Sequence, residues 1–247
     1  MNWFDYLTSA SSYSGADGIT QRLVQHLEYS GSALFFTVLI GLPLGLILGH
    51  LHRGGTIVLG IANLGRAVPA FGIIVIFAVS AYGVNLVTLT ITLVLFALPQ
   101  VLTNTYTGVA EIDPDIIQAA QGMGMSGRQI LGRTELPVAL PLIAAGIRGA
   151  TVQIIGTATI AAYAGAGGLG AIVFRGYDSN DRRYQIGGAV LVVVLALVAQ
   201  GLLGLLQRAV TPRPLRHRGI LFRSGQRQAA SNVGMEASQQ PAEPMGV

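Results

Sequence analysis

The sequence contains no cysteine and no lysine, and only 11% of its residues are charged. The first absence removes disulfide frameworks, thiolate metal sites and cysteine nucleophiles together. The four histidines, His26, His50, His52 and His217, are scattered and show no zinc-ligand spacing. The scarcity of charge removes more, because a soluble domain carries about a quarter charged residues. With 51% hydrophobic residues and a mean hydropathy of +0.59, a bilayer has to replace water as solvent. No GK[ST] Walker sequence occurs, so the chain has no phosphate-cradling loop with which to hydrolyse ATP. The first thirty residues lack a basic stretch leading into an apolar core, so no cleavable signal peptide is expected.

What the sequence does hold is long apolar runs. A spanning helix needs about 20 mostly apolar residues, and Ser32–Leu51, Val84–Val109, Val138–Tyr163 and Ile186–Gln207 meet that. Thr56–Tyr82 is apolar as well, but Arg66 and Pro69 fall inside it. Proline removes an amide donor and clashes with the preceding turn, so this region is expected as a span with a broken or interfacial first half. The fold class is therefore all-α, a polytopic membrane bundle of about five spans. All fifteen basic residues are Arg. Nine fall on one side of the spans (Arg53, Arg128, Arg133 and the six from Arg208 onward) and four on the other (Arg22, Arg175, Arg182, Arg183). Positive residues favour the cytoplasm, which predicts an outside N-terminus and an inside C-terminus. Because the Arg lie in short loops and a tail rather than on one amphipathic face, no nucleic-acid partner is expected.

Residues 1–31 read as an outer segment. Within it Gly18–Tyr29 places Ile19, Leu23 and Leu27 on one face, as a short amphipathic helix at the surface would. In the first span Gly41, Gly45 and Gly49 recur every four residues, a stripe that lets another backbone approach closely. Residues 32–207 form the transmembrane domain. Residues 208–247, with two prolines near their start, several Arg and few apolar residues, are expected as a disordered cytoplasmic tail. Gly165, Gly167 and Gly170 spell GxGxxG, but they follow a span rather than a strand, so a dinucleotide site is not expected. The aromatics form no cluster along the chain. Arg66, Pro69 and Arg148 are candidates for the translocation path, since an intramembrane Arg usually faces the bundle interior or water and freed backbone groups are tolerated only there.

One loop is too well signalled to be a plain connector: Glu111–Pro137, EIDPDIIQAAQGMGMSGRQILGRTELP. Asp113 is suited to cap a helix, with Pro114 at its first position and Asp115 in its first turn. Ser126 and Gln129 have capping-box spacing for a second helix that ends before Pro137. Gly124 is the expected corner, where positive φ meets no side-chain penalty. Two capped helices at a tight corner make a rigid knob.

This segment resembles the EAA loop of ABC importer permeases, Glu-Ala-Ala, three residues, Gly, nine residues, Ile, one residue, Leu-Pro. Gln118, Ala119, Ala120, Gly124, Thr134, Leu136 and Pro137 stand at that spacing. Gln118 replaces the usual Glu and loses its charge; Thr134 replaces a larger aliphatic residue. The stretches NTYTG (104–108), GIRGATVQIIGTA (146–158) and AGAGGLG (164–170) are similar to permeases for glycine betaine, carnitine and choline. Methionine permeases share the glycine-rich ending, so an ABC permease for another small solute such as methionine is the alternative. The resemblance implies a permease in the bacterial cell membrane, no cofactor in this chain, ATP and Mg2+ on a partner ATPase, an extracytoplasmic binding protein and a second permease copy or paralogue. An ATP-independent secondary transporter is the runner-up, but it has no ATPase for a knob to dock. A membrane enzyme is disfavoured because Asp113, Asp115 and Glu135 lie in the knob and Asp178 and Asp181 in the outer loop, leaving no acid–base pair at membrane depth.

Overall fold

The computed structural model describes residues 2–67 and 69–210. Their elements are helical: α1 (Trp3–Thr8), α2 (Ile19–His50), α3 (Gly55–Ala67), α4 (Ala70–Val79), α5 (Leu86–Ala110), α6 (Pro114–Gly122), α7 (Gly127–Ile130), α8 (Leu136–Ala161), α9 (Gly168–Asp178) and α10 (Arg182–Val210). Four stretches are long and apolar enough to cross a membrane: α2, α5, residues 127–164 around α8, and α10 up to residue 209. Of the tail expected at 208–247, the first three residues close α10, and residues 211–247 lie outside the described residues.

Helices dominate because lipid offers backbone groups no alternative hydrogen-bond partner. The same rule explains two departures from the expected boundaries. The stretch 18–29 is not a separate surface helix; it forms the first turns of α2, which runs unbroken for 32 residues. Gly31 inside a helix costs only about 1 kcal/mol relative to Ala, less than leaving amides unpaired beside lipid. The second knob helix does not end before Pro137 either. After α7 the chain makes a wide π turn, Leu131–Glu135, and continues directly into α8. A regular α turn would drive the Pro137 ring into the carbonyl four residues earlier; the wider turn makes room.

The Thr56–Tyr82 region divides as its composition predicts, into α3 and α4, with Pro69 capping α4 at φ −72°. Neither half reaches spanning length by itself.

The core is built along α5. The glycine stripe of α2 packs on it: a Cβ at Gly45 would lie 2.6 Å from Thr105 Cβ, and one at Gly49 would lie 2.7 Å from Val109 Cβ. Dispersion at such short separation is what holds helices together where lipid is as apolar as leucine. Leu93, Ala97 and Val101 of α5 meet Ala150, Ile154 and Ala158 of α8, all buried. α10 lies against α8 and α9, with Gln207 Nε2 donating to the Pro141 carbonyl at 2.9 Å. The lipid-suited face of α10 leaves Val193, Leu197, Leu202 and Leu206 exposed.

Candidate functional site

The knob is assembled from local chemistry. Asp113 accepts the Asp115 amide at 3.0 Å and starts α6. At its other end the Gly124 amide donates to the Gln121 carbonyl and the Met125 amide to the Ala120 carbonyl. This pair of bonds closes a helix through a left-handed residue, and Gly124 has φ +77°. The Ser126 amide then donates to Gln129 Oε1 at 2.8 Å to open α7.

Of the seven motif positions, Gln118, Ala119 and Gly124 are exposed, Thr134, Leu136 and Pro137 are half-buried, and Ala120 is buried. Ile112 and Ile130 are also buried, while Met123 is 75% exposed at the corner. The knob therefore has an anchored inner side and an outer side on which Ala119, Gly124 and Met123 lie among the exposed charges Asp113, Asp115, Arg128 and Arg133.

A buried contact that does not show in the sequence anchors it. Glu135, in the π turn, is 1% exposed, and its Oε2 accepts from His50 Nδ1 at 2.7 Å. A Cβ at Gly127 would lie 3.3 Å from the other ring nitrogen of His50. The last turn of α2 is thus clasped between the start of α7 and the π turn that follows it.

The three path candidates are scattered. Pro69 is exposed at the α3–α4 break. Arg148 is half-buried on the α10 side of α8, where a Cβ at Gly204 would lie 3.6 Å from its Nη1. The Arg66 side chain lies outside the described residues. On the α5 side of α8 is a cavity of about 460 Å³ lined by Phe96, Gln100, Thr103, Asn104 and Gln153, among others.

At the far end of the bundle from the knob, the GxGxxG run forms the turn into α9. Gln25 of α2 accepts from the Gly168 amide at 3.2 Å and from Arg22 at 3.0 Å. Asp17 accepts from Arg175 at 2.7 Å and from Arg22. The Arg22 hydrogen bond first, and the Arg175 charge next, hold the exposed Asp17 carboxyl below its ordinary value of 3.8. An aromatic row also appears, contrary to the expectation of none: Phe71, Tyr163, Phe174 and Tyr177 follow one another at centroid separations of 5.7, 5.3 and 6.3 Å. Tyr163 and Tyr177 are two-thirds exposed, at 66% and 67%. Folding gathers the row from α4, the short turn after α8 and α9, so no spacing in the chain signals it. Among the described residues no group of His, Asp and Glu could hold a metal ion.

Long apolar helices around a broken pair, with a rigid hairpin between two of them, define a multi-pass membrane protein of helical-bundle fold. The chain belongs to the family described as binding-protein-dependent transport system inner membrane component, whose model matches residues 41–214. It is 34% identical over 192 residues to the glycine betaine/carnitine/choline transport system permease protein OpuCB of Bacillus subtilis, covering 78% of this chain and 88% of that one. It is 36% identical over 196 residues to the osmoprotectant import permease protein OsmW of Salmonella typhimurium, covering 78% and 91%. An inward-facing structure of the MetNI methionine ABC transporter superposes with a TM-score of 0.68 at 25% identity, over 78% of this chain and 96% of that one. The chain is accordingly a multi-pass inner-membrane component of an ABC transporter.

Proposed function

We propose that the chain is the permease subunit of an ATP-driven importer for small osmoprotectants such as glycine betaine, carnitine or choline. The observation that carries the reading is the knob: its motif residues Ala119 and Gly124 lie exposed on a hairpin anchored through Glu135 and His50. Such a knob suits a groove on an ATPase subunit, which would bind the ATP and Mg2+. The distribution of Arg supports a cytoplasmic knob and C-terminus and an outside N-terminus, with α3 and α4 together supplying a fifth crossing. The end around residues 164–184 would then meet an extracytoplasmic binding protein, and a second permease copy or paralogue would complete the passage.

For the cargo, identities of 34% and 36% to osmoprotectant permeases outweigh the 25% to the methionine transporter. The aromatic row adds chemical support, since aromatic faces attract quaternary ammonium groups. The absence of cysteine makes the test clean. With Met123→Cys as the sole thiol, a bifunctional crosslinker should join the chain to a co-expressed ATPase subunit, and Tyr177→Cys should not. Crosslinking from Tyr177→Cys alone would overturn the orientation and the docking role together.

A further inference from the structure

The cavity between α5 and α8 has a composition that packing alone does not account for. Of its described lining, Gln100, Thr103, Asn104 and Gln153 are polar, and Phe96, Pro99 and Gly65 of α3 are not; the side chain of Arg66, next to Gly65, lies outside the described residues. Gln100–Asn104 lie within α5 at roughly 9–15 Å from its knob end, at 1.5 Å per residue, well inside a span.

Several of these polar groups have spare hydrogen-bonding capacity. Asn104 Nδ2 donates to the Gln100 carbonyl at 2.8 Å, and Gln153 Nε2 donates to the Phe96 carbonyl at 3.1 Å. Those bonds fix the two amides and leave each side-chain oxygen and one N–H uncommitted. Thr103 Oγ1 is buried and has no partner among the described residues. The Gln100 side chain lies over Gly149, where a Cβ would meet its Nε2 in hard overlap. Gly146 makes similar room for Asn104, at 2.7 Å from a would-be Cβ. The two glycines of α8 thus give the amides space. Unpaired polar groups at membrane depth are tolerated where they face water or cargo.

We infer that this cavity is an intramembrane cargo site for a small zwitterion of no net charge, in which the Gln100 amide and the Thr103 hydroxyl donate to its carboxylate and Phe96 faces its quaternary ammonium. The inference rests on the osmoprotectant reading above and adds the residues that make it selective. The described amides and hydroxyl suit such a cargo, because uncharged donors satisfy a carboxylate and still let it leave. A quaternary ammonium has no N–H to donate, so it gains little from amide oxygens and more from an aromatic face.

The test uses the whole transporter, with ATPase and binding protein, reconstituted in liposomes and fed labelled glycine betaine. The Thr103→Val/Gln100→Leu double variant should lose about tenfold in uptake rate, as removal of donors to a charged group implies. Stimulation of ATP hydrolysis by loaded binding protein should stay at the wild-type level, because neither the knob nor the far end is altered. Thr103→Ser, which keeps the hydroxyl, should remain near wild type. Wild-type uptake in the double variant would overturn the cavity assignment, and so would parallel loss of uptake and hydrolysis in that variant and in Thr103→Ser, the mark of a packing defect. A wild-type transporter that moves no glycine betaine would sink the osmoprotectant reading instead. Binding of labelled glycine betaine to the purified chain in nanodiscs then judges the cavity independently: weaker binding by the double variant supports it, and equal or absent binding in both overturns it.

Discussion

His50 Nδ1 and Glu135 Oε2 stand 2.7 Å apart although 85 positions separate the two residues in the chain. This bond ties the end of α2, the helix that packs along α5, to the π turn behind the knob. Because Glu135 is buried, Glu135→Ala should destabilise the chain by about 1–3 kcal/mol, the usual result of stripping a buried hydrogen-bond partner. Glu135→Gln, which keeps an acceptor oxygen, should recover most of that. Thermal midpoints in detergent check the order; equal midpoints for Ala and Gln would deny the bond its role.

The corner of the knob depends on backbone conformation. Gly124 has φ +77°, and a Cβ there would meet nothing within 4 Å, so the penalty for a side chain is torsional rather than steric. Gly124→Val should cost about 1–2 kcal/mol locally and lower ATP-coupled transport, while Gly124→Asn, which tolerates the left-handed region, should stay close to wild type. Similar transport by the two variants would remove the corner from the coupling argument.

The α2 glycine stripe gives a contrast with a control in the same helix. Gly45→Leu brings a side chain onto Thr105 and the Leu102 carbonyl and should destabilise the bundle by at least about 1–3 kcal/mol, as overpacking does. Gly31→Ala meets nothing within 4 Å and should be neutral or stabilising. Fluorescence-detected size exclusion of tagged variants separates the two outcomes; equal monodispersity would show that the α2–α5 approach is slack.

What the sequence made legible was local. Asp113, Ser126, Gln129 and Gly124 announce their caps and corner within a few residues, and the glycine stripe announces a close helix contact by its period. The Arg66 and Pro69 pair marked the break between α3 and α4. His50–Glu135 and the aromatic row were not legible, because their members meet only after distant helices have packed. The unbroken α2 was missed for a different reason: amphipathic patterning at 18–29 reads as a surface helix, and only the requirement to pair every amide in lipid carries it into the span.

The clasp at the other end responds to pH in a defined direction. Asp17 is held below its ordinary value of 3.8 by Arg22 and Arg175, so its stabilising bonds are complete above that value and disappear as pH falls through the lower folded value. Wild type and Asp17→Asn should therefore differ in thermal midpoint at pH 6, and the difference should narrow only below about pH 4. A difference already lost at pH 6 would contradict the clasp.

If the knob couples transport to hydrolysis, this chain moves an osmoprotectant only when an ATPase drives it. The direct experiment is uptake of labelled glycine betaine into proteoliposomes that hold the chain, its ATPase and its binding protein, with and without ATP, and again with an ion gradient in place of the ATPase. Uptake is expected only with ATP and the ATPase present, and it should fall sharply when Gly124→Val displaces the knob. Uptake driven by the ion gradient without the ATPase would refute the coupling and identify a secondary transporter.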